Sequence, residues 1–239
     1  MKKLLYLFIV SGILLCACRH TDSTALLRQA DAVVYGNADS AMKLLSLIKN
    51  PERLPFEEKM LYGWLRTFAH NVRGASVAED SLILPAFHYF VAGPDTVKML
   101  NSFVLKSKYL YWQKKHKEAM AVLDSGIAAA TACRDTYLMV NMLSEKANRY
   151  VYVEKDYKKA IEAHLRAIAI REDEGLCYSL GIAMGLQGND SASYYMDRSI
   201  ELVEKKKDTT RLVHYLRNYA QLLSYISSDY KKAAEVSKR

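Results

Sequence analysis

Apolar residues recur along this chain at intervals of three and four positions, and no long stretch alternates apolar and polar residues with a period of two. The first spacing is typical of a helix with one buried face, whereas the second is typical of a half-buried strand. Turn-forming residues separate the periodic segments, as at Asn50–Pro55 and at Gly93-Pro94-Asp95. The pattern therefore predicts an all-α chain, with helices at Ala25–Tyr35, Ser40–Lys49, Glu57–Val72, Asp80–Val91, Thr96–Lys114, Lys117–Ala132, Thr136–Val153, Tyr157–Arg171, Glu174–Leu186, Ala192–Lys206, Arg211–Ile226 and Tyr230–Arg239.

Side chains that can cap a helix stand before several of these segments. An oxygen of Ser, Thr, Asp or Asn can accept a hydrogen bond from a free N–H group in the first turn. We expect Asp39 or Ser40 to cap the second helix, Asp80 the fourth, and Thr209 or Thr210 the eleventh.

The sequence also contains a repeat that is much longer than the period of a helix. The five letters of Asp156–Ala160 return at Asp229–Ala233, and in each case a turn precedes a small residue that opens a helix. Similar turns precede other helices, so the anchor positions are Ala41, Leu82, Ala119, Ala160, Ala192 and Ala233, separated by 41, 37, 41, 32 and 41 residues. A unit of this length that recurs along a chain predicts stacked supersecondary units.

The repeating unit resembles the tetratricopeptide repeat, a helix-turn-helix of about 34 residues. In that family the second helix opens with Ala, carries a large residue four positions on and a small one seven positions on. The matching triplets here are Ala119, Leu123 and Gly126; Ala160, His164 and Ala167; and Ala192, Met196 and Ser199. The first-helix positions hold Ser144, Ala147, Asn148 and Val151 in the fourth unit, and Leu176, Ser179, Leu180 and Ala183 in the fifth. The resemblance implies a right-handed superhelical solenoid of about six units over residues 25–239.

The N-terminus has the layout of a secretory signal. Met1-Lys2-Lys3 precedes an apolar run from Leu4 to Ala17, which at 14 residues is shorter than the roughly 20 that span a bilayer. The run ends in Leu15-Cys16-Ala17-Cys18, which resembles a bacterial lipobox. We therefore expect residues 1–17 to be a lipoprotein signal peptide, Cys18 to be lipidated, and residues 18–24 to form a tether. The alternative is a secreted protein that is cleaved near Ala17.

The last predicted helix is short, at about ten residues, and no further helix follows it. A repeat array needs a terminal helix with a polar outer face. Our interpretation is that the repeat domain is truncated at its C-terminus or that another region normally continues it.

The net charge and the placement of the basic residues limit which classes of partner the sequence predicts. The chain carries a formal net charge of +8, and without Lys2 and Lys3 it carries 32 Lys and Arg against 26 Asp and Glu, or +6. Basic runs such as Lys205-Lys206-Lys207 fall at predicted helix ends, where cations suit the helix dipole. Recognition of nucleic acid would need a basic stripe on a known binding module. We find no such module, so no nucleic-acid partner is predicted.

The sequence contains no catalytic, metal or cofactor motif. The six histidines are never three or four positions apart, and the glycines at 181, 185 and 188 follow no strand and precede no Lys-Ser/Thr pair. His164 is expected to pack in the core, and those glycines to serve close helix packing and a turn. Cys133 and Cys177 are expected to be buried, unpaired thiols, with a disulfide as the alternative. We therefore predict no enzyme and no cofactor.

Tyrosine is the abundant aromatic residue, at 17 of 239 residues. In the tetratricopeptide family the first helices of successive units line a groove that binds peptides or partner segments. The resemblance places there Lys108, Tyr111 and Trp112; Lys146, Arg149 and Tyr152; Tyr178; and Tyr215, Asn218, Tyr219 and Tyr225. The alternative for about half of these tyrosines is packing between helices. Some family members grip a terminal carboxylate with Lys, Asn and Arg, but Val104, Met142 and Glu174 depart from that set.

These features predict a lipid-anchored scaffold of a bacterial envelope, on the periplasmic face or at the cell surface, that binds a protein or peptide in its groove. The combination is similar to envelope lipoproteins of Bacteroides-like bacteria. Two alternatives stay open. The chain could be the sensor half of a transmembrane signalling or transcription regulator with such repeats, or a carbohydrate-binding envelope lipoprotein.

Overall fold

A computed structural model describes residues 23–225 and 230–236, and within them every regular element is helical. The predicted signal peptide, Cys18 and most of the predicted tether lie outside the described residues. The α-helices are α1 (23–33), α2 (Ala38–Ser46), α3 (Phe56–Val72), α4 (Ile83–Ala92), α5 (Thr96–Trp112), α6 (His116–Ala132), α7 (Thr136–Arg149), α8 (Tyr157–Ile170), α9 (Glu174–Gln187), α10 (Ala192–Lys206), α11 (Thr209–Tyr225) and α12 (Tyr230–Val236). The predicted all-α class is confirmed for this part of the chain. None of these helices is long and apolar enough to cross a membrane.

Aspartate side chains cap the N-termini of several helices. Asp95, Asp135, Asp156 and Asp173 each accept a hydrogen bond from the backbone N–H three residues on, at the starts of α5, α7, α8 and α9. Such caps satisfy N–H groups that have no partner inside the helix. Neighbouring helices can therefore follow one another after connections of only a few residues.

Three of the predicted caps are wrong. Asn37 Oδ1 caps α2 by accepting from Ser40 N, and Asp208 Oδ1 caps α11 by accepting from Arg211 N. Asp80 caps nothing, because α4 begins at Ile83 without a side-chain cap. The Asp80 carboxylate is instead buried against α3, where it pairs with Arg66 Nε at 3.2 Å and His70 Nδ1 at 2.7 Å. A long-range ion pair has replaced the local cap.

The chain divides into two compact units, with the boundary inside α6 between Val122 and Leu123. In unit 1, consecutive helices from α2 to α5 pack against one another. Its core gathers Leu27, Leu45 and Leu65 around Trp64 and Phe68. Trp64 stacks on Phe68 at a ring distance of 4.9 Å, and its Nε1 donates a hydrogen bond of 2.9 Å to Ser102 Oγ. These two rings lie four positions apart on α3, and they organise the core of this unit.

In unit 2, α7 to α12 also pack in chain order, and α9 additionally contacts α11. Glycines permit the close approach of α9 to its neighbours. A Cβ atom at Gly181 would lie 2.7 Å from Met196 Sδ of α10, and one at Gly185 would lie 2.6 Å from Leu222 Cδ1 of α11. Gly188 ends α9 with a φ of +77°, a conformation that glycine adopts without strain. The expectation that these glycines serve packing and a turn is confirmed.

The predicted helix Thr136–Val153 is shorter in the structure. Helix α7 ends at Arg149, and residues Tyr150–Glu154 form one π-helical turn. Lys155 then adopts a left-handed φ of 57°, and Asp156 N bonds back to Tyr150 O at 3.0 Å. Such π turns inside or at the end of an α-helix reorient the side chains that follow, and they are frequent at functional sites.

Candidate functional site

Two tyrosine rings from different helices stack face to face in unit 2. Tyr178 of α9 and Tyr215 of α11 lie with ring centroids 4.1 Å apart and planes inclined by 8°. Tyr215 is buried, whereas Tyr178 is partly exposed. Burial raises the pKa of Tyr215 to about 12, so its phenol stays protonated at physiological pH. The pair joins α9 to α11 and leaves one phenol accessible.

Polar groups of α11 fix the exposed end of that stack. Asn218 Nδ2 donates a hydrogen bond of 2.8 Å to the Tyr178 hydroxyl and lies 3.1 Å from His214 Nε2. Burial raises the pKa of Tyr178, and the hydrogen bond from Asn218 lowers it in part. Since the Tyr178 oxygen accepts from the amide, its own O–H group is left to donate to another acceptor.

The π turn after α7 contributes a third tyrosine. Tyr152 is 59% exposed and lies close enough to Tyr178 that its deprotonated form would raise the pKa of that phenol. We call Tyr152, Tyr178, His214, Tyr215 and Asn218 the tyrosine face. It presents exposed aromatic surface together with hydroxyl, imidazole and amide groups, all on side chains anchored by helices.

The charged side chains beside the tyrosine face differ in whether they have a partner of opposite charge. Arg217 is exposed and has no acidic partner among the described residues, and its guanidinium lies 3.5 Å from His214 Nδ1. Glu174 is buried and pairs with Lys206 at 2.6 Å and with Arg211. Burial alone would raise the pKa of Glu174, but hydrogen bonding from Lys206 and the two cations lower it overall. Glu174, whose charge acts on the pKa of Tyr215, is thus paired with two cations, whereas Arg217 presents an exposed positive charge.

Four of the residues assigned to the groove, Tyr152, Tyr178, Tyr215 and Asn218, lie near one another in the structure. Other assigned residues of unit 2 are engaged elsewhere. Lys146 pairs with Asp124, and Arg149 is buried and lies 3.6 Å from Glu145.

Tyr219 is fully buried in the core, with its hydroxyl 3.4 Å from Asp197 Oδ2 and Lys232 over its ring at 5.3 Å. Tyr215 and Tyr219 therefore follow the alternative of packing between helices. The side chain of Tyr225 lies outside what the structure describes.

The three groove residues assigned to unit 1 occupy the last two turns of α5. Lys108 and Tyr111 are partly buried, and Trp112 is 48% exposed. Tyr111 packs edge-on against Trp112, with centroids 6.2 Å apart, and against His116 at 5.2 Å. They form a smaller aromatic group that belongs to unit 1 alone.

Sequence reasoning missed His214 and Arg217. His214 is the neighbour of both Arg217 and Asn218 on α11, since they follow it by three and four positions. The i, i+4 spacing of His214 and Asn218 was the available signal.

The remaining chemistry-bearing residues are dispersed. His164 is fully buried, as expected. Cys133 and Cys177 are unpaired, also as expected, but Cys133 is exposed, so the prediction that both thiols are buried is wrong for it. Burial raises the pKa of the Cys177 thiol to about 12, which keeps it unreactive. Across residues 23–225 and 230–236, no group of three His, Cys, Asp or Glu side chains could hold a metal ion.

The tyrosine face therefore combines the exposed Tyr152 and His214 with the partly exposed Tyr178 and Asn218. Comparisons with known proteins add no assignment to it, since no protein-family model matches this chain and neither does any curated protein.

Proposed function

We propose that this chain is a lipid-anchored, tetratricopeptide-like scaffold of a bacterial envelope, and that its tyrosine face binds an extended segment of a partner protein. The observation that carries the proposal is the convergence of Tyr152, Tyr178 and Asn218 from three separate segments of unit 2. The role needs no chemistry of its own, because binding alone brings the partner to the membrane.

The composition of the face suits a polypeptide ligand. Tyrosine gives a large contact area and a polar end while losing little side-chain entropy, and it is enriched where binding energy concentrates. The free Tyr178 hydroxyl hydrogen can donate to a backbone carbonyl, and the His214 ring can stack on or hydrogen-bond to the segment. The Tyr178–Tyr215 stack holds these groups in place before binding, which lowers the entropy lost in the complex.

The anchor and the recognition surface are separate parts of the proposal. The Leu15–Cys18 pattern supports a lipid on Cys18. Replacing Cys18 with Ala should move the protein from the membrane fraction to the soluble fraction of the source cells. Unchanged membrane fractionation of Cys18→Ala would contradict the anchor and leave the tyrosine face untouched.

The recognition surface can be tested with a photocrosslinking residue in place of Tyr152. The matched control places the same residue at Tyr194 of α10, which is also a strongly exposed tyrosine of unit 2, at 66%. We expect a defined crosslinked protein at position 152 and none at position 194, with the product lost when His214→Ala and Asn218→Ala are added.

Equal products at the two positions would contradict binding at the tyrosine face. If no protein crosslinks while the purified chain retains glycans on an array, the carbohydrate alternative replaces the scaffold. If neither ligand is found, the sensor alternative gains weight, and the coding sequence beyond Arg239 tests it.

A further inference from the structure

Unit 1 exposes an apolar recess at one end of its helices. Phe56, the first residue of α3, is 65% exposed and packs edge-on against Tyr89 of α4, with centroids 5.9 Å apart. The connection from α4 to α5 continues the surface with exposed Ala92 and Pro94. We call Phe56, Tyr89, Phe90, Ala92 and Pro94 the apolar recess. Exposed apolar surface that is grouped in this way marks a contact surface more often than scattered apolar residues do.

The recess lies beside the beginning of the described chain. Thr24 Oγ1 donates a hydrogen bond of 2.6 Å to Glu58 Oε1, and Glu58 is two residues from Phe56 in the first turn of α3. Thr24 follows Cys18 by six positions, a stretch that reaches about 20 Å even when fully extended. A lipid on Cys18 would therefore hold this end of unit 1 within about 20 Å of the membrane surface.

The charges around the recess favour apolar insertion over electrostatic attraction. Its single carboxylate lining residue, Asp95, caps α5 and pairs with Lys98 at 3.0 Å. Lys98 is itself shared with Asp31, at 3.0 Å. Beside Phe56 stands the exposed acid Glu57, which would not attract anionic headgroups.

We propose that the apolar recess rests in the lipid surface that holds the anchor, with Phe56 and Tyr89 at the boundary between headgroups and acyl chains. This inference rests on the lipid anchor of the proposed function. Aromatic side chains with an apolar body are favoured at that depth, and Tyr89 can keep its hydroxyl among the headgroups. Two attachments, the lipid and the recess, fix the orientation of unit 1 on the membrane.

The test uses the full chain, produced in a bacterium that processes lipoproteins and reconstituted into phosphatidylcholine vesicles with brominated acyl chains. Phe56→Trp reports on the recess, and Val72→Trp is the matched control at the exposed opposite end of α3. Subtracting the emission of the parent protein removes the contributions of Trp64 and Trp112. We expect the added emission at position 56 to shift to the blue and to lose most of its intensity through bromine quenching, while that at position 72 does neither. Far-ultraviolet circular dichroism checks that both variants keep their helices.

The outcomes separate the inference from the anchor. If the chain floats with vesicles but the two positions are quenched equally or not at all, the recess does not meet the lipid. The inference also fails if position 56 becomes shielded from a soluble quencher only when envelope proteins are added, since the recess would then bind protein. If the chain does not float with vesicles, the anchor fails and this inference fails with it. Blue-shifted, bromine-quenched emission confined to position 56 supports the inference.

Discussion

Unit 1 and unit 2 each bring together aromatic side chains from different segments of the chain, but the rings differ in how far they are buried. In unit 1, Trp64 and Phe68 lie in the core and Tyr35 packs edge-on against Phe68 at 5.0 Å. In unit 2, the stacked Tyr178 and Tyr215 run from the core to the surface, where amide and imidazole groups surround the exposed phenol. The difference follows from the side chains, because Trp and Phe gain most from burial whereas a tyrosine can keep its hydroxyl wet. Aromatic clusters alone therefore do not mark a binding site; partial exposure and unused hydrogen-bond capacity do.

The largest expected effect tests the core role of the aromatic group in unit 1. Trp64→Ala removes a fully buried ring that stacks on Phe68 and leaves Ser102 without its indole donor. We expect the free energy of unfolding to fall by about 3–5 kcal/mol. Denaturant titration followed by circular dichroism measures it. The control is Trp112→Ala, which should cost less than about 1 kcal/mol because that ring is half exposed. Equal losses would remove the distinction between a core ring and a surface ring.

The second effect concerns the interior of unit 2, where an imidazole occupies a core position. His164 is fully buried, neither of its ring nitrogens has a hydrogen-bond partner among the described residues, and burial lowers its pKa from 6.5 to about 4. The unfolded chain then binds more protons than the folded chain between these two values. The contribution of the neutral His164 ring to the free energy of unfolding is therefore fully present above about pH 6.5, and it is lost as the pH falls toward 4.

His164→Leu keeps an apolar side chain of similar size and removes the proton site. Between pH 6.5 and 4 we expect the wild type to lose about 3 kcal/mol more stability than this variant, since each pKa unit corresponds to about 1.4 kcal/mol. Urea titrations at half-unit pH steps give the comparison, in which carboxylates common to both proteins cancel. Parallel stability curves for the two proteins would show that His164 is not a buried neutral group.

A smaller effect tests whether the polar end of the tyrosine stack differs from a core contact. Tyr178→Phe keeps the ring over Tyr215 and removes the acceptor for Asn218 Nδ2. We expect a loss of about 0.5–1.5 kcal/mol in the free energy of unfolding, the usual range for one hydrogen bond. Thermal melts of Tyr178→Phe and Tyr195→Phe, the latter a tyrosine of α10, make the comparison. A loss above about 3 kcal/mol would mean that Tyr178 is a core residue like Trp64.

Helix content and part of the core were readable in the sequence, because both depend on local period and residue size. The four-residue spacing of Trp64 and Phe68 is typical of two side chains on one helix face, and the position of His164 in its repeat predicted its burial. The prediction that Asp80 caps the fourth helix was wrong because its partners, Arg66 and His70, come from another helix. A local capping pattern carries no information on such contacts.

The tyrosine face was only partly predictable. Tyr215 and Tyr219 lie on the face of α11 that also carries Leu216, Leu222 and Leu223, so helical periodicity alone favours their burial. The resemblance to the tetratricopeptide family instead assigned both tyrosines to the groove. The exposure of Tyr152 depends on the π turn after Arg149, and no local motif in the sequence marks that turn.

Among the residues tested, Tyr152 is expected to contribute least to stability and most to binding. Tyr152→Ala removes a ring that is mostly exposed, so the free energy of unfolding should change by no more than about 0.5 kcal/mol. Partner capture by the immobilised chain should nevertheless fall about tenfold or more, the usual consequence of losing an aromatic anchor. Tyr194→Ala, at a comparably exposed tyrosine of the same unit, should change neither quantity. If Tyr152→Ala lowers stability as much as Tyr178→Phe, or if both alanine variants bind equally well, the tyrosines of unit 2 are packing residues and the contrast with unit 1 disappears.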